Sequence, residues 1–196
     1  MRSFIISLTI FCALSGTDLA LRCLQCSGIN SDTCVGVSVD CPNSTECYEK
    51  YEYYHAWSEI FHSIEKGCNP GLPCNTVNYI SNFDEKDIFL YTQCCARDDC
   101  NTGIFQMPPV QKEHNGRICT SCFGNCSAEC ISDRKVQCLN EEDKCVDVIA
   151  ILRDPGGNFK QRNFKGCASP LACEYKFAAL IGVEPVQVER AECSDC

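Results

Sequence analysis

Hydrophobic and polar residues follow one another in this chain in short segments of the length that β-strands take. The clearest segment covers residues 145–152, where β-branched and aliphatic residues dominate, and a matching segment covers 159–165. Between them, residues 154–158 read Asp-Pro-Gly-Gly-Asn, which is turn chemistry. Strand-forming residues on both sides of such a turn predict a β-hairpin over 145–165.

A second hairpin is predicted in the first half of the chain. Hydrophobic and polar residues alternate imperfectly over 47–54, and a returning strand is predicted over 60–66. No clear turn signal lies between the two segments. The segments 75–93 and 174–192 are predicted to form a third finger in each half. Pro185 restricts its strand to a sheet edge, because proline has no N–H to donate to a neighbouring strand. The pattern as a whole predicts an all-β protein.

The first twenty residues have a different pattern. Arg2 precedes an apolar run over 4–14, which only Ser7 and Thr9 interrupt, and small residues follow. This run is too short to cross a bilayer, and its position behind a basic residue at the N-terminus is typical of a signal peptide. We therefore interpret residues 1–20 as a signal peptide and expect a secreted, extracellular protein.

The cysteine content also indicates an extracellular protein. The chain has 21 cysteines, of which Cys12 lies in the predicted signal peptide, so 21 − 1 = 20 remain in the mature chain. An even number at this density is typical of extracellular domains held together by disulfide bonds. The later apolar run over 178–183 is short and no hydrophobic tail follows it, so we expect no membrane anchor.

The spacing of the cysteines reveals an internal repeat. A cysteine-free stretch over 101–118 divides the twenty into two sets of ten, and gaps of 5, 20, 5 and 19 residues in one set match gaps of 6, 21, 5 and 19 in the other. The cysteines that define these gaps are Cys41, Cys47, Cys68, Cys74 and Cys94, and Cys138, Cys145, Cys167, Cys173 and Cys193. The tripeptide Lys-Gly-Cys also recurs, at 66–68 and at 165–167. We infer two tandem domains, residues 21–101 and 118–196.

Residues 102–117 separate the two predicted domains. Two adjacent prolines lie within 107–110 and an Asn-Gly pair within 114–116, so this stretch is predicted to be an extended linker and not a packed element. Each domain has only about 80 residues, a size at which one apolar core gives marginal stability. Disulfide bonds are expected to supply what the core cannot.

The charge of the chain limits its partners. A formal net charge of −9 repels nucleic acids and anionic lipid headgroups at long range, so neither is an expected partner. The second finger of the first domain nets −2 and its counterpart nets +2. The counted residues are Glu49, Glu52, Glu59, Glu65, Lys50 and Lys66, and Arg153, Lys160, Arg162, Lys165, Asp147 and Asp154. Opposite signs could steer one partner or let the domains pack together, while a solvated face is the commoner explanation.

The sequence favours a binding protein over an enzyme. The histidines are His55, His62 and His114, and the last lies in the predicted linker, so a serine or cysteine nucleophile has little prospect of an oriented base. Residues 94–100 superficially resemble the catalytic helix of secreted phospholipases, but Asp98 occupies the position of the histidine that activates water there. We therefore expect no catalytic residues.

Metal and cofactor sites are not expected either. The Cys-x-x-Cys pairs at 23–26 and 119–122 have a spacing that zinc sites also use. In an oxidising compartment with a full set of partner cysteines, disulfide bonds are strongly favoured.

Aromatic residues crowd into the second finger of the first domain. The six are Tyr48, Tyr51, Tyr53, Tyr54, Trp57 and Phe61. They could form a binding surface, since tyrosine and tryptophan dominate interface hot spots, or they could cover a thin sheet or pack against the other domain. From this cluster we predict Tyr53, Tyr54, Trp57 and Phe61 as partner contacts.

One modification site is predicted. Asn43-Ser44-Thr45 is an acceptor sequence for N-glycosylation and fits a surface loop. Asn125-Cys126-Ser127 also qualifies, but a cystine in its middle makes modification less favourable.

The ending Cys94-Cys95-Ala96-Arg97-Asp98-Asp99-Cys100-Asn101, with ten cysteines at these gaps, resembles the urokinase-receptor and lymphocyte-antigen three-finger superfamily. The resemblance covers nearly the whole mature chain and implies a small disulfide-rich all-β fold with two tandem three-finger domains. It also implies a disulfide pattern that spacing alone cannot select. In the first domain the implied pairs are Cys23 with Cys47, Cys26 with Cys34, Cys41 with Cys68, Cys74 with Cys94, and Cys95 with Cys100.

The second domain follows this pattern less closely. By resemblance, the pairs there are Cys119 with Cys145, Cys138 with Cys167, and Cys173 with Cys193. The adjacent cysteine pair and terminal asparagine are missing. Four cysteines remain, and we expect Cys122 to join Cys126 or Cys130, with Cys196 taking the one left over.

Within this superfamily, the two-domain frame resembles the gamma-type phospholipase A2 inhibitors and the sodefrin-precursor-like factors. The resemblance implies a secreted protein without enzymatic activity that binds another extracellular protein. The expected partner is a secretory phospholipase A2, inhibited by occlusion of its surface, or alternatively a receptor that recognises the chain as a pheromone-like ligand. The oligomeric state is left open and includes a homo-oligomer.

Overall fold

Strands dominate the computed structural model of this protein. It describes residues 20–56, 59–82, 87–107, 109, 112–124, 134–153, 156–174 and 184–196. The one helix within these ranges has five residues, and no helix in them is long and apolar enough to cross a membrane. The predicted disulfide-rich all-β fold is confirmed. The predicted signal peptide lies outside the described residues, apart from Ala20.

The first domain consists of three antiparallel hairpins that project as fingers. The strands are β1 (Leu21–Ile29), β2 (Val37–Cys41), β3 (Cys47–Ala56), β4 (Glu59–Cys68), β5 (Thr76–Ser81) and β6 (Asp87–Cys95). The hairpins are β1–β2, β3–β4 and β5–β6, and strand β3 lies between β4 and β6. The second finger is regular over ten residue pairs, from Cys47–Cys68 to Ala56–Glu59.

The second domain repeats part of this arrangement, with two hairpins and one strand of the third finger among its described residues. Its elements are β7 (His114–Thr120), β8 (Cys122–Gly124), β9 (Lys135–Leu139), β10 (Lys144–Arg153), β11 (Phe159–Ala168), α1 (Pro170–Glu174) and β12 (Glu184–Asp195). The hairpin predicted over 145–165 is confirmed as β10–β11. Strand β12 pairs with β10 as β6 pairs with β3, and it lies at the end of the sheet, where Pro185 was predicted to restrict it.

One sheet runs through both domains. Strand β5 of the first domain pairs with β11 of the second, in the register Ser81 with Cys167 and Ile80 with Ala168. The strand order is therefore β12-β10-β11-β5-β6-β3-β4-β1-β2, with β8 also pairing with β11. Strands of both domains are thus joined edge to edge in this sheet, while β7 and β9 form a separate two-stranded sheet, so the domains do not depend on the linker alone for their relative position.

Disulfide bonds close the base of each domain. The described bonds are Cys23–Cys47, Cys26–Cys34, Cys41–Cys68, Cys74–Cys94, Cys95–Cys100, Cys119–Cys145, Cys138–Cys167 and Cys173–Cys193. These pairs are the ones that the resemblance implies. Cys122 is also bonded, whereas Cys126 and Cys130 lie outside the described residues. Cys196 is a free thiol, in contrast to the expectation that it takes the remaining partner.

Most described residues of the stretch between the domains are exposed, but Phe105 is packed against the first domain, where the prediction was a linker without packed elements. Phe105 is only 6% exposed and its ring stacks on Tyr51, with centroids 5.0 Å apart. The Asn-Gly pair at 115–116 lies within β7 and does not form a connecting loop. Proline and glycine signals report local backbone preference, and here burial of one large ring outweighs it.

Candidate functional site

Two of the four predicted partner contacts are buried between the domains. Tyr54 and Phe61 are 3% and 7% exposed, and their rings stack with centroids 4.6 Å apart. Phe123 and Leu152 of the second domain pack against this pair. Buried in this way, the two rings are not available to a partner, which corrects the interpretation of them as surface contacts.

The other two predicted contacts differ. Tyr53 is half-buried and lies edge-on to His55, with ring centroids 6.5 Å apart. Trp57 lies outside the described residues. Of the aromatic cluster, Tyr53 therefore remains as a described side chain with part of its surface open.

Charged residues of the first domain's second finger mostly form ion pairs and hydrogen bonds within the molecule. Lys50 lies 2.6 Å from Glu65, and Ser63 donates a hydrogen bond to Glu52 at 2.8 Å. Burial, followed by the negative charge of Glu65, raises the pKa of Tyr48 far above its ordinary value. Glu49, Glu52 and Glu65 of this finger are therefore engaged within the molecule and do not form an open acidic face.

The basic counterpart finger is partly neutralised as well. Asp147 is shared by Lys165 at 3.1 Å and Arg190 at 2.9 Å. Arg162 is only 9% exposed. Lys165 and Arg162 therefore add little open positive charge to this finger, whereas Arg153 is exposed.

A buried lysine joins the linker to the first domain. The Lys66 side chain is fully buried, and its ammonium group donates to Glu49 Oε1 at 2.5 Å and to the carbonyl oxygens of Asn101 and Gly103, each at 2.9 Å. The Asn101 amide accepts from Leu24 N and donates to Leu24 O, both at 2.9 Å. This network fixes the point at which the chain leaves the first domain.

A second set of contacts joins the two domains at β5. Ser169 accepts from Tyr79 N at 3.1 Å and its own N–H donates to Tyr79 O at 2.9 Å. The Ser81 hydroxyl donates to the buried Glu142 carboxylate at 2.8 Å. At Gly166 the backbones approach so closely that a Cβ atom would lie 2.1 Å from Ser81 O. Gly166 is part of the Lys-Gly-Cys tripeptide that occurs in both domains, but nothing in the sequence indicated this close approach.

His62 pairs with an aspartate of the first finger. His62 Nε2 lies 3.4 Å from Asp32. The adjacent hydroxyl, Ser63, points to the opposite face of β4 and donates to Glu52. This histidine–aspartate pair therefore orients no serine nucleophile.

Cys196 is next to the disulfide cluster at the base of the second domain. Its sulfur lies 3.2 Å from Cys119 Sγ and 3.6 Å from Cys145 Sγ, which are bonded to each other. Burial is the main factor that raises the pKa of the Cys196 thiol.

The most prominent exposed ring among the described residues is at the tip of the second domain's second finger. Phe159 is 65% exposed, and the Arg153 guanidinium lies over its ring, 5.8 Å from the centroid. Both residues sit at the end of the β10–β11 ladder, where they face each other. An exposed aromatic ring beside an arginine is typical of interface hot spots.

Comparison with known proteins shows where this architecture belongs. The profile of the u-PAR/Ly-6 domain matches residues 19–103 and again residues 115–195. The chain belongs to the u-PAR/Ly-6 family. Its two matches correspond to the two disulfide-bonded units described above, so this u-PAR/Ly-6 protein has two tandem three-finger domains.

The u-PAR/Ly-6 protein is similar to inhibitors and to a receptor. It is 28% identical to a phospholipase A2 inhibitor gamma subunit of Elaphe climacophora over 92% of this chain and 93% of that protein, and the corresponding inhibitor of Elaphe quadrivirgata gives the same values. It is 30% identical to the urokinase plasminogen activator surface receptor of Aotus trivirgatus, over 56% of this chain and 31% of that protein. Relatives of these kinds support an extracellular binding module whose partners are proteins.

Proposed function

We propose that this protein binds a secreted phospholipase A2 outside the cell and inhibits it by covering the entrance to the active site. The observation that carries the proposal is the similarity to a phospholipase A2 inhibitor of the gamma type, which extends over 92% of the chain and therefore through both domains. Occlusion requires no chemistry from the inhibitor. It requires a surface that keeps its shape while it displaces water and substrate.

The architecture supports this role through its rigidity. Each domain is closed by disulfide bonds at its base, and pairing of β5 with β11 joins strands of both domains into one sheet. A scaffold that is already ordered loses little conformational entropy on binding, so more of the contact energy contributes to affinity. Inhibition by a protein of this size then depends on a small number of well-placed side chains.

Activity measurements on secreted phospholipases test the proposal. Recombinant protein with intact disulfide bonds is titrated into assays of several secreted isoforms on phospholipid vesicles. We expect saturable loss of activity that is stoichiometric or submicromolar for at least one isoform. Reduced and alkylated protein is the control, because it retains the composition but loses the scaffold. Unchanged activity with every isoform at micromolar inhibitor contradicts the proposal.

Phe159 is the side chain on which we expect this inhibition to depend most. Replacing Phe159 with Ala removes the exposed ring at the finger tip and should weaken inhibition by about tenfold or more, as for an aromatic hot spot. Val35 in the first domain is 98% exposed, and Val35→Ala is the matched control for loss of exposed apolar surface. Inhibition constants are compared by titration, with thermal unfolding as a check that both variants are folded. Equal constants for the wild-type protein and the Phe159 variant place the contact elsewhere.

A further inference from the structure

A cleft opens at the disulfide-bonded base of the first domain, beside Asn43. It has a volume of about 600 Å³ and lies between two turns, residues 42–46 and 69–71. Asn43 is exposed in the first of these turns, and the acceptor sequence Asn43-Ser44-Thr45 forms part of the lining. A group attached to the Asn43 amide therefore starts at the edge of a preformed cavity.

The two walls of the cleft are held together. The Ser44 hydroxyl lies 2.7 Å from Glu46 O on its own turn and 3.0 Å from Asn69 O on the opposite one. Asn69 orders that second turn, since its Oδ1 accepts from Gly71 N at 3.0 Å and from Leu72 N at 2.7 Å. The cleft is thus a property of the hydrogen-bonded backbone and does not require a side chain to move.

The lining has the mixed character that suits a sugar. The Asp40 side chain is 75% exposed; its Oδ1 lies 3.7 Å from Arg22 Nε, and its carboxylate keeps acceptor capacity, while Pro42 and Pro70 contribute apolar rings. A pyranose ring has hydroxyl groups at its edge and C–H groups on its faces, so it needs acceptors beside flat apolar surface. Each of these is present on the walls of this cleft.

We propose that Asn43 carries an N-linked glycan and that its first N-acetylglucosamine lies in this cleft. The Asp40 carboxylate accepts hydrogen bonds from the sugar, and the rings of Pro42 and Pro70 pack against its face. The attachment joins C1 of the sugar to the Asn43 amide nitrogen, which loses a proton, and breaks the bond from C1 to a lipid-linked diphosphate donor, whose diphosphate is the leaving group. This step takes place in the secretory pathway, so the proposal rests on the extracellular location but not on inhibition of a phospholipase. The glycan then covers the base of the domain and leaves the finger tips bare.

The modification is tested with a pair of substitutions at one position. Thr45→Ser keeps the acceptor sequence, whereas Thr45→Val has nearly the shape of threonine and destroys it. Both variants and the wild-type chain are expressed in mammalian cells and collected as secreted protein. Their molecular masses are measured by intact-mass spectrometry. We expect glycan mass at Asn43 in the wild-type chain and in Thr45→Ser, and none there in Thr45→Val. A wild-type chain without glycan at Asn43 overturns the proposal.

The position of the first sugar is tested by trimming. An endoglycosidase that leaves one N-acetylglucosamine should preserve the thermal midpoint and the hydrogen-exchange protection of residues 69–72. Thr45→Val carries no sugar at Asn43, so its thermal midpoint should be about 2 °C lower than that of the trimmed chain. Hydrogen exchange of residues 69–72 should also be faster in it. Asp40→Ala should stay glycosylated. In this variant, the trimmed form and the sugar-free form made with Thr45→Val should have the same thermal midpoint and the same hydrogen exchange. If trimmed Thr45→Ser and Thr45→Val unfold and exchange alike, the sugar projects into solvent and the cleft assignment is wrong.

Discussion

Replacing Lys66 with Met is expected to destabilise the first domain by about 3–5 kcal/mol. The side chain is fully buried, and its ammonium group is the charge partner of Glu49. Methionine fills the space but leaves the carboxylate without its cation, and it leaves the carbonyl oxygens of Asn101 and Gly103 without this donor. A buried charge that loses its partner costs far more than the intact pair contributes.

The repeat provides a matched control for this prediction. Lys165 occupies the equivalent place in the second domain and contacts Asp147 at 3.1 Å, but the two side chains are 19% and 23% exposed. Lys165→Met should therefore cost only about 1 kcal/mol. Chemical denaturation with disulfide bonds intact measures both variants, and hydrogen exchange of β3 and β4 shows which domain has loosened. Equal destabilisation by the two substitutions contradicts this account of Lys66.

A second variant separates the loss of charge from the loss of packing. In Lys66→Met with Glu49→Leu, both partners of the buried pair are replaced by apolar side chains. Such a replacement is often close to neutral, so the double variant should regain part of the stability that the single variant loses. No recovery means that the hydrogen bonds from Lys66 to the carbonyl oxygens of Asn101 and Gly103 dominate.

The fold could be predicted because the cysteine spacing resembles that of a known family, and the resemblance implies which cysteines pair. A bond between Cys138 and Cys167 requires their Cα atoms to come within about 7 Å, so the number of residues between cysteines limits finger length. The hairpin over 145–165 was equally accessible, since a Pro-Gly turn and β-branched flanks act locally. Its strands extend to Lys144 and Ala168, close to the predicted ends.

The arrangement of the two domains could not be predicted in the same way. Tyr54 and Phe61 have the composition of a binding surface, and whether such rings face a partner or the other domain depends on long-range contacts. Phe105 lies among linker signals, yet its ring covers Tyr51. Long-range contacts of this kind leave no periodic pattern in the sequence. The sequence therefore placed the candidate binding surface on the second finger of the first domain, whereas the structure favours Phe159.

The close approach at Gly166 makes the joint between the domains sensitive to a single methyl group. The expected result for Gly166→Ala is disruption of the β11–β5 pairing at a cost of about 1–3 kcal/mol. The added Cβ would meet Ser81 O at 2.1 Å, and this atom belongs to the backbone, so no side-chain rotation relieves the contact. The second domain must then move away from Ser81.

Gly67 is the equivalent residue in the first domain and provides the control. A Cβ atom there would meet Tyr48 Cε1 at 3.1 Å, a contact that a small movement of the ring relieves, so Gly67→Ala should leave the domains joined. Small-angle scattering should show a larger radius of gyration for Gly166→Ala alone, with faster hydrogen exchange over 79–81. Because the disulfide bonds stay intact in both variants, each domain should remain folded. An unchanged radius in Gly166→Ala means that the sheet absorbs the methyl group and that Tyr54, Phe61 and Ile80 hold the domains together without the strand pairing.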